Sequence, residues 1–388
     1  MQRRKHRPGV RVAVAAMLVA CSGMAFTAVA APTGAAPTTR YYALSGIGCV
    51  SASDCIVAGW SYGSEGGPQR STTLVLRWNG TKWSNLHGAN RSGFDINYLR
   101  DVSCTAPDFC MAVGESAKTT DSSVHQGLIE RWDGKTWRLV PSRASMWAVS
   151  CATKKFCMGM TPTSLQRWDG TKWAAVAVPP TRDEPRYGGV ACVDARRCVA
   201  VASFDTGVYE SHLVAYRWDG TRWSQSAVSD ADVSESAGFS DAACGSRTAC
   251  VAVGSGTNGL YAYQVFAQRW DGNRWSQSAA AAPPSIVSEL NGVACPSPTT
   301  CFAAGDLHSG GEPAGYPHPF VDRWNGTKWS VAAAPNLYGG LADVDCATST
   351  SCLAIGSSQP DPDISFYKTL VLRFDGTAWK RIPSPNPT

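Results

Sequence analysis

The sequence predicts an all-β fold: a seven-bladed β-propeller of four-stranded antiparallel blades, with one disulfide per blade. Three observations predict it. Cysteines recur in seven pairs of one spacing; an Arg, an aromatic residue, Asp or Asn, and Gly follow each pair; and the whole unit repeats about every fifty residues. Such a period belongs to blades or stacked units, each too small to bury its apolar face alone.

Arg3, Arg4, Lys5, Arg7 and Arg11 precede an apolar run from Val12 to Ala20 that is too short to span a bilayer. This is an export signal, expected over residues 1–30. Two cleavage readings stand. Ala28-Val29-Ala30 is a small-residue site for signal peptidase, whereas Leu18-Val19-Ala20-Cys21 resembles a bacterial lipobox, which would end the signal before Cys21 and place a lipid on it. Residues 31–40, rich in Ala, Pro and Thr, read as a flexible tether. The formal charge of +5 equals the five basic residues of the signal, so the domain of residues 41–388 is close to neutral. Nucleic acid is therefore not an expected partner.

The cysteine pairs are Cys49 with Cys55, Cys104 with Cys110, Cys151 with Cys157, Cys192 with Cys198, Cys244 with Cys250, Cys295 with Cys301, and Cys346 with Cys352. Cysteine at this density belongs to a secreted or cell-surface protein and to disulfides within each repeat. Structural zinc prefers cysteines two to four residues apart with four ligands converging, and no His recurs beside these pairs, so neither metal nor cofactor is expected. Each bridge closes a short loop and contributes on the order of 2 kcal/mol.

Each copy reads as four strands. In the second they are Tyr98 to Cys104 (a), Cys110 to Gly114 (b), Gly127 to Trp132 (c) and Thr136 to Val140 (d). Asp133-Gly134 between c and d is a tight-hairpin signal, since Gly and Asp accept the positive φ such turns need. Trp132 and Trp137 bracket that turn on one face. The pair recurs in every copy, with Phe374 replacing the first Trp in the last, and absorbs all but Trp60 and Trp147 of the fifteen tryptophans. Before the first Cys of each pair stands a small residue in nearly every copy, preceded by Val, Ile or Ala. Small side chains suit a strand crowded around a central axis, and the larger neighbours would pack between sheets.

The order of a Gly-ended strand b, an aromatic-Asp turn after strand c and a Trp on strand d resembles the kelch type of β-propeller, the type of the galactose oxidase central domain. The resemblance covers about residues 41 to 388. It departs where the family's double Gly is Ala-Gly, Val-Gly or Ile-Gly, with Thr161 and Ala202 in copies three and four, and in the added Cys pair. It implies the fold; activity does not follow from it.

The a–b turns and c–d hairpins share one monotonous face, which reads as a structural base. The variable b–c and d–a loops collect on the other, where recognition is expected. Candidate ligand-binding residues there are Trp60, Tyr62, Trp147, Tyr187, Tyr209, Tyr261 with Tyr263, His308, Tyr316, His318 and Tyr338. The Arg before each aromatic anchor and the turn Asp or Asn read as scaffold. No nucleophile motif, sialidase Asp-box or copper-ligand set appears. The reading is an exported, monomeric and non-catalytic recognition module for glycan, cell-wall polymer or protein, lipid-anchored in the lipobox alternative. Two alternatives stand beside it: a propeller hydrolase or lyase using carboxylates such as Asp205, Glu210, Asp361 or Asp363 with a loop His, and a structural envelope protein.

Overall fold

The computed structural model describes residues 40–63, 70–121, 124–181, 183–207, 210–229, 236–257, 263–281, 287–308, 316–359 and 367–387, without the side chains of residues 206, 207, 210 and 263. The expected signal, Cys21 and nearly all of the tether lie outside the described residues. Blade 1 is β1 (Arg40–Ser51), β2 (Asp54–Gly63), β3 (Arg70–Trp78) and β4 (Trp83–Asn85); blade 2 is β5 (Ile96–Ala106), β6 (Phe109–Ala117), β7 (His125–Trp132) and β8 (Trp137–Leu139). Blade 3 is β9 (Ala148–Thr153), β10 (Phe156–Met160), β11 (Leu165–Trp168) and β12 (Trp173–Val176); blade 4 is β13 (Arg186–Asp194), β14 (Arg197–Gly207), β15 (Glu210–Trp218) and β16 (Trp223–Ala227). Blade 5 is β17 (Gly238–Ser246), β18 (Ala249–Thr257), β19 (Tyr263–Trp270) and β20 (Trp275–Ser278). Blade 6 is β21 (Val287–Ser297), β22 (Thr300–His308), β23 (Pro317–Trp324) and β24 (Trp329–Ala332). Blade 7 is β25 (Gly339–Thr348), β26 (Ser351–Ser358), β27 (Lys368–Phe374) and β28 (Trp379–Arg381).

Within each blade the strands pair antiparallel in chain order, a to d. This is the predicted seven-bladed propeller, with strands a and b running longer than expected in every blade but the third. All seven predicted disulfides are present, each joining strands a and b beside their turn. The hairpin tryptophans face each other in register, Trp78 with Trp83 and Trp132 with Trp137, at ring separations of 5.1 and 5.6 Å. Inside the turn the Asp133 carboxylate accepts the N–H groups of Lys135 and Thr136, and Gly134 takes φ +92°, a region closed to most side chains. The turn Asp and Asn are thus spent on their own backbone.

In blades 4, 5 and 7 the repeated Arg joins blades rather than capping its own turn, while Arg77 and Arg167 stay within their own blade, on Asp54 and over Phe156. Arg217, Arg269 and Arg373 lie over Trp270, Trp324 and Trp78 of the next blade at 4.4, 5.6 and 5.9 Å. Apolar packing follows the same plan: seven clusters of buried residues each span two neighbouring blades. The residue two before the first Cys (Ile47, Val102, Val149, Val190, Ala242, Val293, Val344) enters one cluster each, while the small residue after it lines the central channel. A further repeat position clamps the linkers between blades. Glu130 accepts the N–H of Ala89, and Asp322 that of Ala281, each at 2.7 Å from strand c.

Closure needs no exchanged strand, because blade 1 and blade 7 are each built from one end of the chain. The seam is held instead by Leu353, Ile355 and Val371 packing against Leu44, Ile47 and Val57. The Asp343 and Asp345 carboxylates accept the N–H groups of Ile47 and Cys49 at 2.9 and 2.7 Å. Tyr42 completes it, donating its hydroxyl to the Pro387 carbonyl at 2.7 Å.

Candidate functional site

Cys55 stands opposite Trp78 in register, so disulfide turns and c–d hairpins share one face, as expected, and the b–c and d–a connections share the other, the upper rim. Strand a carries an irregularity four residues before its first Cys in six blades, for instance between Leu99 and Asp101. A bulge re-aims the side chain it carries. Arg100 sits in that place in blade 2, and Trp147 occupies the matching position just ahead of β9.

Aromatic rings run along the rim of blades 1 to 3. Tyr41 meets Tyr62 edge-on at 6.0 Å, Trp60 meets Tyr98 of blade 2 at 5.2 Å, and the Arg100 guanidinium covers Trp147 at 5.3 Å while pairing with Glu115. Blade 3 is the low point of the rim. Its strand b has only 5 residues against 9 and 11 in blades 2 and 4, because Thr161 turns the chain back by accepting the N–H groups of Thr163 and Ser164 on its hydroxyl. Trp147 is consequently 45% exposed. On the blade 4 side Arg186 forks onto Asp205 at 2.6 and 2.8 Å. An open indole between two ion pairs can stack on an apolar ring face while the charged groups take hydroxyls or amides at its edge.

A second group lies between blades 6 and 7. Asp306 pairs with His308 at 3.4 Å and accepts an N–H of Asn291 at 3.0 Å, with Glu289 opposite it in register. Loss of hydration raises the Asp306 carboxyl above its ordinary range, and the Glu289 charge adds to this. Nearby, Tyr338 packs against both Tyr316 and His318, at 5.6 and 5.2 Å.

Of the sequence candidates, then, Trp60, Tyr62 and Trp147 share one stretch of rim, and His308, Tyr316, His318 and Tyr338 gather at blade 6. Trp60, Tyr62 and His308 stand on strand ends rather than in loops. Tyr187 is not on the rim: it is 4% exposed and packs on Tyr216 at 5.9 Å, because its place in strand a is that of Leu44, Leu99 and Leu341, which face the core. Tyr209, Tyr261, Asp361 and Asp363 lie outside the described residues, as do the side chains of Tyr263 and Glu210. Asp205 is engaged by Arg186. Tyr41, Tyr98, Arg100, Glu115 and Asp306 were missed by the sequence reading; as side chains breaking the repeat at its strand ends, they were visible once the strands were extended.

The central channel is lined by Asp101, Asp241, Asp343 and Asp345, with no Lys, Arg or His among the residues of its 240 Å³ cavity. Each aspartate reaches across a blade seam. Asp101 accepts the N–H of Val149 at 2.7 Å and Asp241 that of Val293 at 2.8 Å, as Asp343 and Asp345 do for blade 1. Loss of hydration deep in the ring outweighs these bonds and holds Asp101 up at about 6 and Asp241 at about 8; the other channel aspartates add repulsion. Among the described residues no three His, Cys, Asp or Glu are placed to hold one metal ion, and no helix is long and apolar enough to cross a membrane.

No protein-family model and no curated protein matches the chain. Solved propellers do. The chain is similar to YCF48 bound to D1 peptide (13% identity, TM-score 0.50, covering 87% of this chain and 94% of that one). It is similar to the β-propeller domain of the trilobed protease from Pyrococcus furiosus, described as having an open velcro topology (8% identity, TM-score 0.53, covering 90% and 100%). A third is an ulvan lyase of the PL25 polysaccharide lyase family bound to -[GlcA(1-4)Rha3S]- (9% identity, TM-score 0.52, covering 89% and 98%). At these identities the likeness establishes the propeller fold. None of these three is a kelch or galactose oxidase propeller, so the kelch-type likeness rests on the sequence motif alone.

Proposed function

We propose that the ring is an exported, non-catalytic, monomeric recognition module that binds a glycan or cell-wall polymer along the rim of blades 1 to 3. The observation that carries this reading is Trp147, an indole 45% exposed above the shortened blade 3, stacked by Arg100 and continuous with the Trp60–Tyr98 and Tyr41–Tyr62 contacts. Seven disulfides suit an oxidising compartment and support export. The signal over residues 1–30, with the lipidated Cys21 as its variant, supplies the route. Propellers of similar fold have been solved with a peptide and with a polysaccharide, which is consistent with a ligand of this kind.

The test is a glycan array and a cell-wall pull-down with the chain lacking residues 1–30. Trp147→Ala and Trp60→Ala should each weaken capture roughly tenfold, the loss of an aromatic contact of about 1 to 1.5 kcal/mol. Unchanged capture in both variants would contradict the reading. The Asp306–His308 pair favours a second reading, a hydrolase or lyase with a positioned acid and base. Cleavage of the captured polymer that disappears in His308→Ala would replace the first reading with this one.

A further inference from the structure

In a repeat protein, a residue that differs from all its counterparts marks a local requirement. The residue just before the second Cys reads Asp54, Phe109, Phe156, Arg197, Ala249, Thr300 and Ser351, cationic in blade 4 alone. Three residues before the second Cys, blade 5 has Arg247, a position that is cationic elsewhere only in blade 3 (Lys154) and is Ala195 in blade 4 and Pro298 in blade 6. Both arginines meet at one place. Arg197, Arg247 and the repeat Arg217 line a crevice of about 110 Å³ between blades 4 and 5 on the disulfide face, with Trp270, Ser224 and Asp219.

Blade 1 alone has a carboxylate at the first of these positions, and there Arg77 forks onto Asp54 at 2.8 and 3.0 Å, cancelling its charge. In blade 4 a guanidinium stands where that carboxylate would be. The Arg217 guanidinium carbon lies over the Trp270 ring, 4.4 Å from its centre, a contact that does not consume its N–H groups. Asp219 is the one carboxylate in the lining, and its Oδ1 already accepts the N–H groups of Thr221 and Arg222. Arg247 pairs with Asp194 at 2.8 Å, whereas among the described residues neither Arg197 nor Arg217 has a carboxylate partner. Three guanidiniums set against two carboxylates, Asp194 on Arg247 and Asp219 in the lining, leave the crevice net positive, with Arg197 and Arg217 open to an anion.

We propose that this crevice is an oxyanion site taking one sulfate or phosphate group, free or as an ester on a polymer. The guanidinium forks of Arg197 and Arg217 match the oxygen geometry of such a group, with Arg247, whose Nε is on Asp194, as the third cation of the lining; the Ser224 hydroxyl donates to the Arg217 carbonyl at 3.4 Å. The site is on the face opposite the aromatic rim and stands independently of the function proposed for that rim.

Calorimetric titration of the chain with inorganic sulfate and with inorganic phosphate, at matched ionic strength, tests it. Saturable binding is expected, weakened at least tenfold in Arg197→Ser and in Arg247→Ser and unchanged in Lys328→Ser, a cation of the same face, in the blade 6 hairpin, that does not line the crevice. Arg197→Lys, which keeps the charge and loses the fork, should fall between. Competition by dextran sulfate against polyphosphate then separates a sulfate-ester source from a phosphate-ester one. Absence of saturable binding for both anions, or an equal loss in Lys328→Ser, would overturn the proposal.

Discussion

At the scale of single residues, most of the repeated letters have a neighbour that accounts for them. The position three before the first Cys shows how much one side chain can decide. It reads Gly46, Asp101, Ala148, Gly189, Asp241, Gly292 and Asp343, so every aspartate follows a glycine around the ring. A Cβ on Gly46 would lie 2.5 Å from the Asp101 Cα, and one on Gly292 would lie 2.5 Å from the Asp343 Oδ1. Glycine gives the room, and the aspartate uses it to reach the next seam.

These aspartates carry a pH prediction whose sign is unusual for carboxylates. An acid whose pKa is raised by folding holds a proton in the native state that the unfolded chain has lost, so its contribution is full below about pH 4 and fades as pH rises through the folded value. Asp101 at about 6, Asp241 at about 8 and the raised Asp343 and Asp345 all act this way, and so do the buried Glu130 at about 7 and Asp322 at about 6, each raised first by lost hydration. The turn aspartates oppose this only in strong acid: bonds from the turn hold Asp169 and Asp219 down at about 2. Melting temperature should therefore decline from pH 4 to pH 8. In Asp241→Asn the decline should be shallower; an unchanged slope would remove Asp241 as its source.

At the scale of elements, the disulfide hairpin is the unit of stability. Replacing Cys244 and Cys250 by Ser should cost about 2 kcal/mol, read by denaturant unfolding, because the bridge closes a short loop. Glycan capture should survive, since the bridge lies on the face away from the rim; lost capture at unchanged stability would contradict a structural role for it. The strands themselves were legible from the Cys spacing, the Asp-Gly turns and the paired tryptophans, all short-range signals. Their upper halves were not. Beyond the bulge in strand a the repeat stops dictating residue type, so Trp60, Tyr62 and His308 look like loop residues although they extend strand b. Tyr187 misled for a related reason: an aromatic at the place of Leu44 and Leu99 is core, and only the strand register shows it.

At the scale of the whole molecule, seven blades packed on one another make a ring whose disulfide face is nearly uniform and whose rim differs blade by blade. Ring closure was beyond the sequence because it rests on contacts between residues some three hundred positions apart, such as Tyr42 with Pro387 and Asp343 with Ile47. The juxtaposition of Trp147 with Arg100 was equally hidden, since it depends on the short blade 3 and on a bulge in its neighbour.

Hydrogen exchange by mass spectrometry, with and without the polymer fraction that the protein captures, tests the recognition surface most directly. Added protection should fall on the rim segments 59–63, 96–101, 114–117 and 145–149. Protection confined to the cysteine turns 49–55 and 104–110, or none on the rim at saturating polymer, would contradict the account.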